Sequence, residues 1–217
     1  MRLVCFKGLH GEGAVVNTLC AVLFWEVFYD VRVPDAFRNP FQRMPLDHDT
    51  DDFYDNRAEA VDARLEQIER ADDGQLEAMV RDRWEQSRGV ASMASWELFR
   101  GWEHLSGLAL CFTRPQLRGI LERLVKRHRQ TRSGFPDLTL WDPARKAVKI
   151  VEVKSPNDRL SNKQILWIEH LLKLGVDAVV CHVEAVGGKR VIAASGDTEE
   201  AAPKRRRGRR NSGSDFL

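Results

Sequence analysis

Gly134-Phe-Pro-Asp137-Leu-Thr-Leu-Trp141, Asp142-Pro-Ala-Arg145 and Ala147-Val-Lys-Ile-Val-Glu152-Val-Lys154 form the stretch whose reading decides the fold. Asp137 to Trp141 alternates like a strand, Asp142 to Arg145 is a turn, and Ala147 to Val153 is a second strand, so the pair predicts a β-hairpin. A hairpin can bring Asp137 beside Glu152. Side chains alternate with period 2, so Lys154 shares the face of Glu152.

Working outward, Ser155 to Asp158 reads as a loop. Ser161 is a good N-cap for a helix through about Leu174, ended by Gly175. A third strand is expected over roughly Ala178 to Val186. Upstream, Thr113 and Pro115 open a helix whose apolar face is Leu117, Ile120, Leu121, Leu124 and Val125. Its polar side is basic: Arg118, Arg123, Lys126, Arg127 and Arg129, with Arg132 just beyond. Earlier still, Gly13 to about Asp30 reads as one helix, apolar nearly all round and hence buried. Pro34, Pro40 and Pro45 break regularity, and Asp47 to Asp55 reads as a solvated acidic loop without the glycine and terminal glutamate of an EF-hand. Two amphipathic helices follow, one with Val61, Leu65 and Ile68 inward, the other with Leu76, Met79, Val80 and Trp84; a short helical piece lies near Ser95 to Phe99. Trp84, Trp96 and Trp102 are assigned to the core. Helix, hairpin, helix and strand in that order describe an α/β layer.

Composition narrows the classes. The chain has 217 residues, 43% hydrophobic and 30% charged, enough for one globular domain with a real core. The net charge of +2 hides a split. Residues 203–217 hold six Lys/Arg and one acid, leaving a body of 28 basic and 31 acidic residues at net −3. The folded part is therefore not broadly basic, and any nucleic-acid surface must be local. Cys5, Cys20, Cys111 and Cys181 form no CxxC pair, and Cys20 and Cys181 read as buried reduced thiols. The longest apolar run, Leu19 to Trp25, is far short of the ~20 residues a bilayer span needs, and Met1-Arg2 begins no signal peptide. From Ser195 onward the chain lacks apolar periodicity and is expected to be disordered. His10, His104, His128, His170 and His182 have no partner at metal-ligand spacing.

The chemistry lies in the hairpin. Two carboxylates about 4 Å apart repel by roughly 4 kcal/mol at an effective dielectric near 20, and so require a counter-charge. A divalent cation supplies one, and hard oxygen donors suit Mg²⁺ or Mn²⁺. Such an ion polarises a phosphate and acidifies a bound water. Lys154 would then hold that water and stabilise developing charge. Together these parts describe phosphodiester hydrolysis, although ExK and PD are each common alone.

Gly134-Phe-Pro-Asp-Leu, Val151-Glu-Val-Lys and Pro156-Asn-Asp-Arg-Leu-Ser-Asn-Lys-Gln164 resemble the core of the VRR-NUC branch of the PD-(D/E)XK nucleases. His10-Gly-Glu-Gly13, Pro34-Asp-Ala-Phe-Arg-Asn39, Pro45-Leu-Asp47, Ser161 to Trp167 and Leu174 to Gly187 extend the resemblance to the Fanconi-anaemia-associated nucleases of that branch, over Phe6 to about Gly188. The resemblance implies a restriction-endonuclease-like fold: a mixed central sheet flanked by helices, with a helical insertion at about 34–110 in a nuclease domain at 1–194, followed by a basic tail at 195–217. It implies a metal site of Glu12, Asp137, Glu152 and the Val153 carbonyl. Asp137, Glu152 and Lys154 would be the catalytic residues, with Gln164 facing the site. Arg159 and Lys163 fall where the family places phosphate contacts, a solvated surface charge being the other reading of each. Arg123, Lys126 and Arg127 belong to the basic helix, read as a phosphate-tracking surface or as an ordinary solvated face. The implied activity is structure-selective DNA cleavage with Mg²⁺ or Mn²⁺: 5′-flap endonuclease and 5′ to 3′ exonuclease action in interstrand-crosslink repair, by a monomer. The alternatives are a catalytically weak branched-DNA-binding remnant, a Holliday-junction-type resolvase and a restriction-type end-processing enzyme. Full members carry DNA-binding and helical-repeat domains upstream, so a chain beginning near Glu12 is expected to be free-standing or a truncated form of a longer protein. Pro203 to Arg210 reads as a nuclear localisation signal or a DNA-binding arm.

Overall fold

The computed structural model describes residues 7–29 and 33–184. Four strands form one mixed sheet in the order β1 (Lys7–His10), β2 (Leu138–Asp142), β3 (Ala147–Lys154), β4 (Asp177–His182). β2 and β3 form the expected antiparallel hairpin, with Leu138 opposite Val151. β3 and β4 run parallel, which requires a crossover. Helix α9 (Asn162–Lys173) supplies it.

The helices precede the hairpin: α1 (Gly13–Leu23), α2 (Trp25–Tyr29), α3 (Asp52–Asp55), α4 (Ala58–Arg70), α5 (Asp73–Ser87), α6 (Trp102–Ala109), α7 (Arg114–Lys126) and α8 (His128–Thr131), with a 3-10 turn at Trp96–Leu98. Segment 34–110 carries α3 to α6 and the 3-10 turn. α1 is buried on nearly every side and packs against α5 and α7, while α4 packs on α7. Capping boxes open α7 (Thr113 with Gln116) and α9 (Ser161 with Gln164), each satisfying two end groups that would otherwise lack partners. No helix among the described residues is long and apolar enough to cross a membrane.

Several expectations change. β1 was not foreseen: it is four residues long, it is largely exposed, and it contains Gly8. A Cβ there would stand 2.7 Å from Leu140 Cδ2, so a larger residue would push that methyl aside. The single helix expected over Gly13 to Asp30 is bent, because Phe24 leaves helical geometry at φ −109°, ψ 20°; its end at Asp30 lies outside the described residues. The acidic loop is neither fully solvated nor wholly irregular, since α3 forms within it and Asp47 pairs with buried Arg57. Cys181 is exposed, because β4 is the sheet edge and its C-terminal end is uncovered. Cys20 is buried as expected, which pushes its thiol pKa well up. Trp84 and Trp96 lie in the core, whereas Trp102 is only half-buried. The third strand's expected end at Val186, the tail at 195–217 and Cys5 lie outside the described residues.

Candidate active site

The hairpin register puts Asp137 one step beyond the Leu138–Val151 pair, level with Glu152. Asp137 Oδ2 accepts the Val153 backbone N–H at 2.7 Å, which fixes its carboxylate against β3. β1 then brings in Glu12. His10 pairs with Leu138, and the N–H groups of Gly11 and Glu12 both donate to the Asp137 carbonyl at 3.3 Å. Glu12 sits before α1 with φ 45°, ψ −136°, a conformation an L-residue adopts only at a cost of order 1–3 kcal/mol. Such strain is typical of functional positions, and no sequence pattern signals it.

Glu152 is 1% exposed. Its Oε1 is 3.0 Å from Lys154 Nζ and accepts from Gln164 Nε2 at 2.5 Å. Gln164 Oε1 in turn accepts from Lys154 Nζ at 3.3 Å and from the Ser161 N–H at 2.9 Å. One glutamine therefore closes the α9 capping box and ties the glutamate to the lysine. Lys154 also approaches Asp158 at 3.5 Å. Burial pushes the Glu152 carboxyl pKa up, the Lys154 hydrogen bond opposes that, and the nearby Asp137 charge adds to the rise. The Lys154 pKa is raised, chiefly by its hydrogen bond to Glu152.

Lys154 sets one positive charge beside the Glu152 carboxylate. Among the described residues no three His, Cys, Asp or Glu side chains stand in metal-holding geometry. The donor set still fits a hard cation. Glu152 Oε2 is buried and has no hydrogen-bond partner among the described residues, and a buried anionic oxygen left alone is costly. Asp137 lies alongside, so these two carboxylates suit Mg²⁺ or Mn²⁺.

α9 is held close to the hairpin by Gly134, at φ +89°. A Cβ at that position would stand 2.6 Å from Lys163 Cβ and 2.8 Å from its backbone carbon. Beside this contact, a cavity of about 570 Å³ is lined by Arg123, Lys126, Arg127, Lys163 and Asp51, among others. Four of the six residues expected to meet DNA thus share one hollow. Their commitments differ. Lys126 is bound to Asp62 (2.9 Å) and Glu122 (3.1 Å) and lies over Tyr54. Arg123 stacks on Trp167 at 4.9 Å. Lys163 Nζ donates to Ser133 Oγ at 3.0 Å. Arg127 is exposed and makes no ion pair among the described residues. Arg159 is also exposed but does not line the cavity, and Gln164 belongs to the Glu152 cluster. His48, which no sequence motif singled out, is buried against His128 with ring centroids 3.8 Å apart.

The mixed sheet, its crossover helix and the acidic pair at the hairpin define a restriction-endonuclease-like domain. The VRR-NUC domain model matches residues 71–185, and the chain belongs to that family. It is 44% identical over 184 residues to Fanconi-associated nuclease 1 of Ailuropoda melanoleuca, covering 84% of this chain and 18% of that protein. Against the Homo sapiens protein of the same name the identity is 42% over the same shares. A crystal structure of paFAN1 bound to a 2-nucleotide 5′-flap DNA with a gap superimposes with a TM-score of 0.74 at 32% identity, covering 82% of this chain and 32% of that one. The chain thus spans about a fifth of the length of these curated relatives.

Proposed function

We propose that this chain is a metal-dependent, structure-selective DNA nuclease acting on 5′-flapped or branched DNA. The observation that carries the reading is the Glu152 carboxylate, buried and tied through Oε1 to Lys154 and Gln164 while Oε2 has no partner among the described residues. Family membership and the likeness to a nuclease bound to flap DNA support it.

In this reading Asp137, Glu152 and the Val153 carbonyl hold Mg²⁺ or Mn²⁺, with Glu12 adding its carboxylate from the start of α1. When bound, the cation polarises the scissile phosphate and acidifies a coordinated water. Lys154 Nζ orients the attacking water and offsets the charge that develops on the phosphate oxygens. Gln164 keeps Glu152 turned toward Lys154 through two hydrogen bonds, and the Asp137 carboxylate is fixed by the Val153 N–H. Arg123, Arg127, Lys163 and Arg159 contact backbone phosphates and set the register of the strand without reading its sequence. We place the enzyme in interstrand-crosslink repair in the nucleus, as a monomer with 5′-flap endonuclease and 5′ to 3′ exonuclease action.

The test is a labelled panel of 5′-flap, four-way junction, single-strand and duplex DNA with Mg²⁺ or Mn²⁺. Flap cleavage abolished by EDTA and by Asp137→Ala is the expected result. Identical behaviour of wild type and Asp137→Ala refutes the site. Salt-dependent binding without metal-dependent turnover would instead indicate a binding remnant, and paired junction cuts by a dimer a resolvase.

A further inference from the structure

The acidic run of Asp47, Asp49, Asp51, Asp52 and Asp55 has no part in the hydrolysis, yet it is docked. The Asp47 carboxylate takes both arms of Arg57, at 2.6 Å from Nη1 and 3.2 Å from Nη2. The Arg57 side chain is 0% exposed and lies over Phe53. Next in sequence, His48 packs edge-on against Phe28 and Phe53 and lies tilted against His128 of α8. These buried contacts fix the loop against the segment that leads into the Gly134 turn.

Held in that way, the next two acids meet the basic surface. Asp49 accepts from Arg132 Nη1 at 3.2 Å and stands 3.5 Å from His128 Nε2. Asp51 stands 3.5 Å from Gln130 Nε2 and is the one acid lining the cavity of Arg123, Lys126, Arg127 and Lys163. The contrast in burial matters. The anchoring pair is desolvated, while Asp49 and Arg132 are 46% and 56% exposed. Exposed pairs are weak and exchange readily with other anions; buried pairs do not. The loop therefore has a fixed base and a labile tip, and the tip offers carboxylates where a nucleic-acid backbone would offer phosphates.

We propose that Asp49 and Asp51 act as a built-in counter-anion, occupying Arg132 and the rim of the cation-lined cavity until the phosphates of a DNA strand displace them. The loop thereby sets how tightly the surface holds DNA. It disfavours strands that bring too few phosphates to displace both carboxylates, so it discriminates against weak, non-specific contacts. The proposal rests on the nuclease reading above and adds to it the residues that limit affinity.

The test measures binding by fluorescence anisotropy in EDTA, with a single-stranded and a duplex oligonucleotide, for wild type, Asp49→Asn, Asp51→Asn and the double variant. Freeing a cation for a phosphate steepens the dependence of log K on log salt by about 0.7–0.9. The double variant is expected to bind about 3–10-fold tighter near 0.1 M salt, with a slope steeper by about 1. In an Arg132→Gln background, Asp49→Asn should gain nothing. Unchanged affinity and slope overturn the proposal, as does a gain from Asp49→Asn that persists without Arg132, because that would reflect general charge rather than displacement. Both carboxylates are exposed, so the fold is retained; should the double variant melt early, Asp51→Asn alone carries the test. Tight binding and cleavage by wild type with inert variants would leave the nuclease reading intact. Failure of wild type to bind either oligonucleotide or a 5′-flap DNA at low salt would sink both.

Discussion

Replacing Gly134 with alanine tests whether close approach of α9 to the hairpin builds the site. The perturbation has two parts. Residue 134 has φ +89°, and forcing an L-residue into the left-handed region costs about 1–2 kcal/mol. The new Cβ would also stand 2.6 Å from Lys163 Cβ and 2.8 Å from its carbonyl carbon. Backbone cannot swing aside as a flexible side chain does, and overpacking of this kind costs about 1–3 kcal/mol. The total is about 2–5 kcal/mol. For a chain of this size a loss of about 3 kcal/mol lowers Tm by about 6–12 °C. Gly89 is the internal control, with φ +83° but nothing within 4 Å of an added Cβ. Gly89→Ala therefore carries only the backbone strain and should lose about 1–2 kcal/mol. Urea unfolding of both variants reads the difference as a change in midpoint at constant slope. Gly134→Ala should also lose nuclease activity while folded, because a displaced α9 withdraws Gln164 from Glu152. Equal losses for the two variants, or full activity in a folded Gly134→Ala protein, would refute the reasoning.

Gln164→Glu keeps a side chain able to close the α9 capping box but removes the amide donor to Glu152 and sets a carboxylate against it. It should lower Tm by several degrees through that repulsion and cut the cleavage rate at least tenfold, whereas Gln164→Ala should cost about 1 kcal/mol for the lost cap without the repulsion; thermal melts and single-turnover rates separate the two. Acid stability follows from His48, whose pKa burial, then the neighbouring His128, lower from 6.5 to about 3, Asp47 opposing and Arg57 adding. The unfolded chain takes up this proton near pH 6.5 and the native one only near pH 3. The His48 contribution is therefore complete above pH 6.5 and lost as pH falls toward 3, at up to about 1.4 kcal/mol per pH unit. Urea midpoints between pH 7 and 4 should show that slope and His48→Phe should flatten it; an unchanged slope in the variant contradicts the assignment.

The fold was legible wherever local chemistry and periodicity agreed. The hairpin, the Thr113 and Ser161 N-caps and the five-residue apolar stripe of α7 all stand where the pattern places them. β1 was illegible because four largely exposed residues carry no alternation, and its pairing with β2 is non-local. That same pairing brings the Glu12 backbone to the Asp137 carbonyl, a proximity no local pattern signals; Glu12 as a metal ligand rests on the family resemblance. Burial on an edge strand depends on what covers it, which is why Cys181 was misplaced. Counting cations along α7 identified a basic face but not its partners. Lys126 is committed to Asp62 and Glu122, and Arg132 to Asp49, through contacts set by tertiary packing. His48 had no motif to mark it, and only the docking of its loop on α8 gives it a role.

The central claim is that Asp137, Glu152 and Lys154 form a hydrolytic centre in which the lysine acts on the reacting phosphate. The most direct measurement is the single-turnover cleavage rate of a saturating 5′-flap substrate by wild type and Lys154→Ala in Mn²⁺, with the DNA Kd measured on the same preparations. A rate lower by about 10²–10³-fold at a Kd unchanged within threefold is the predicted result. A rate within tenfold of wild type at equal Kd would contradict it.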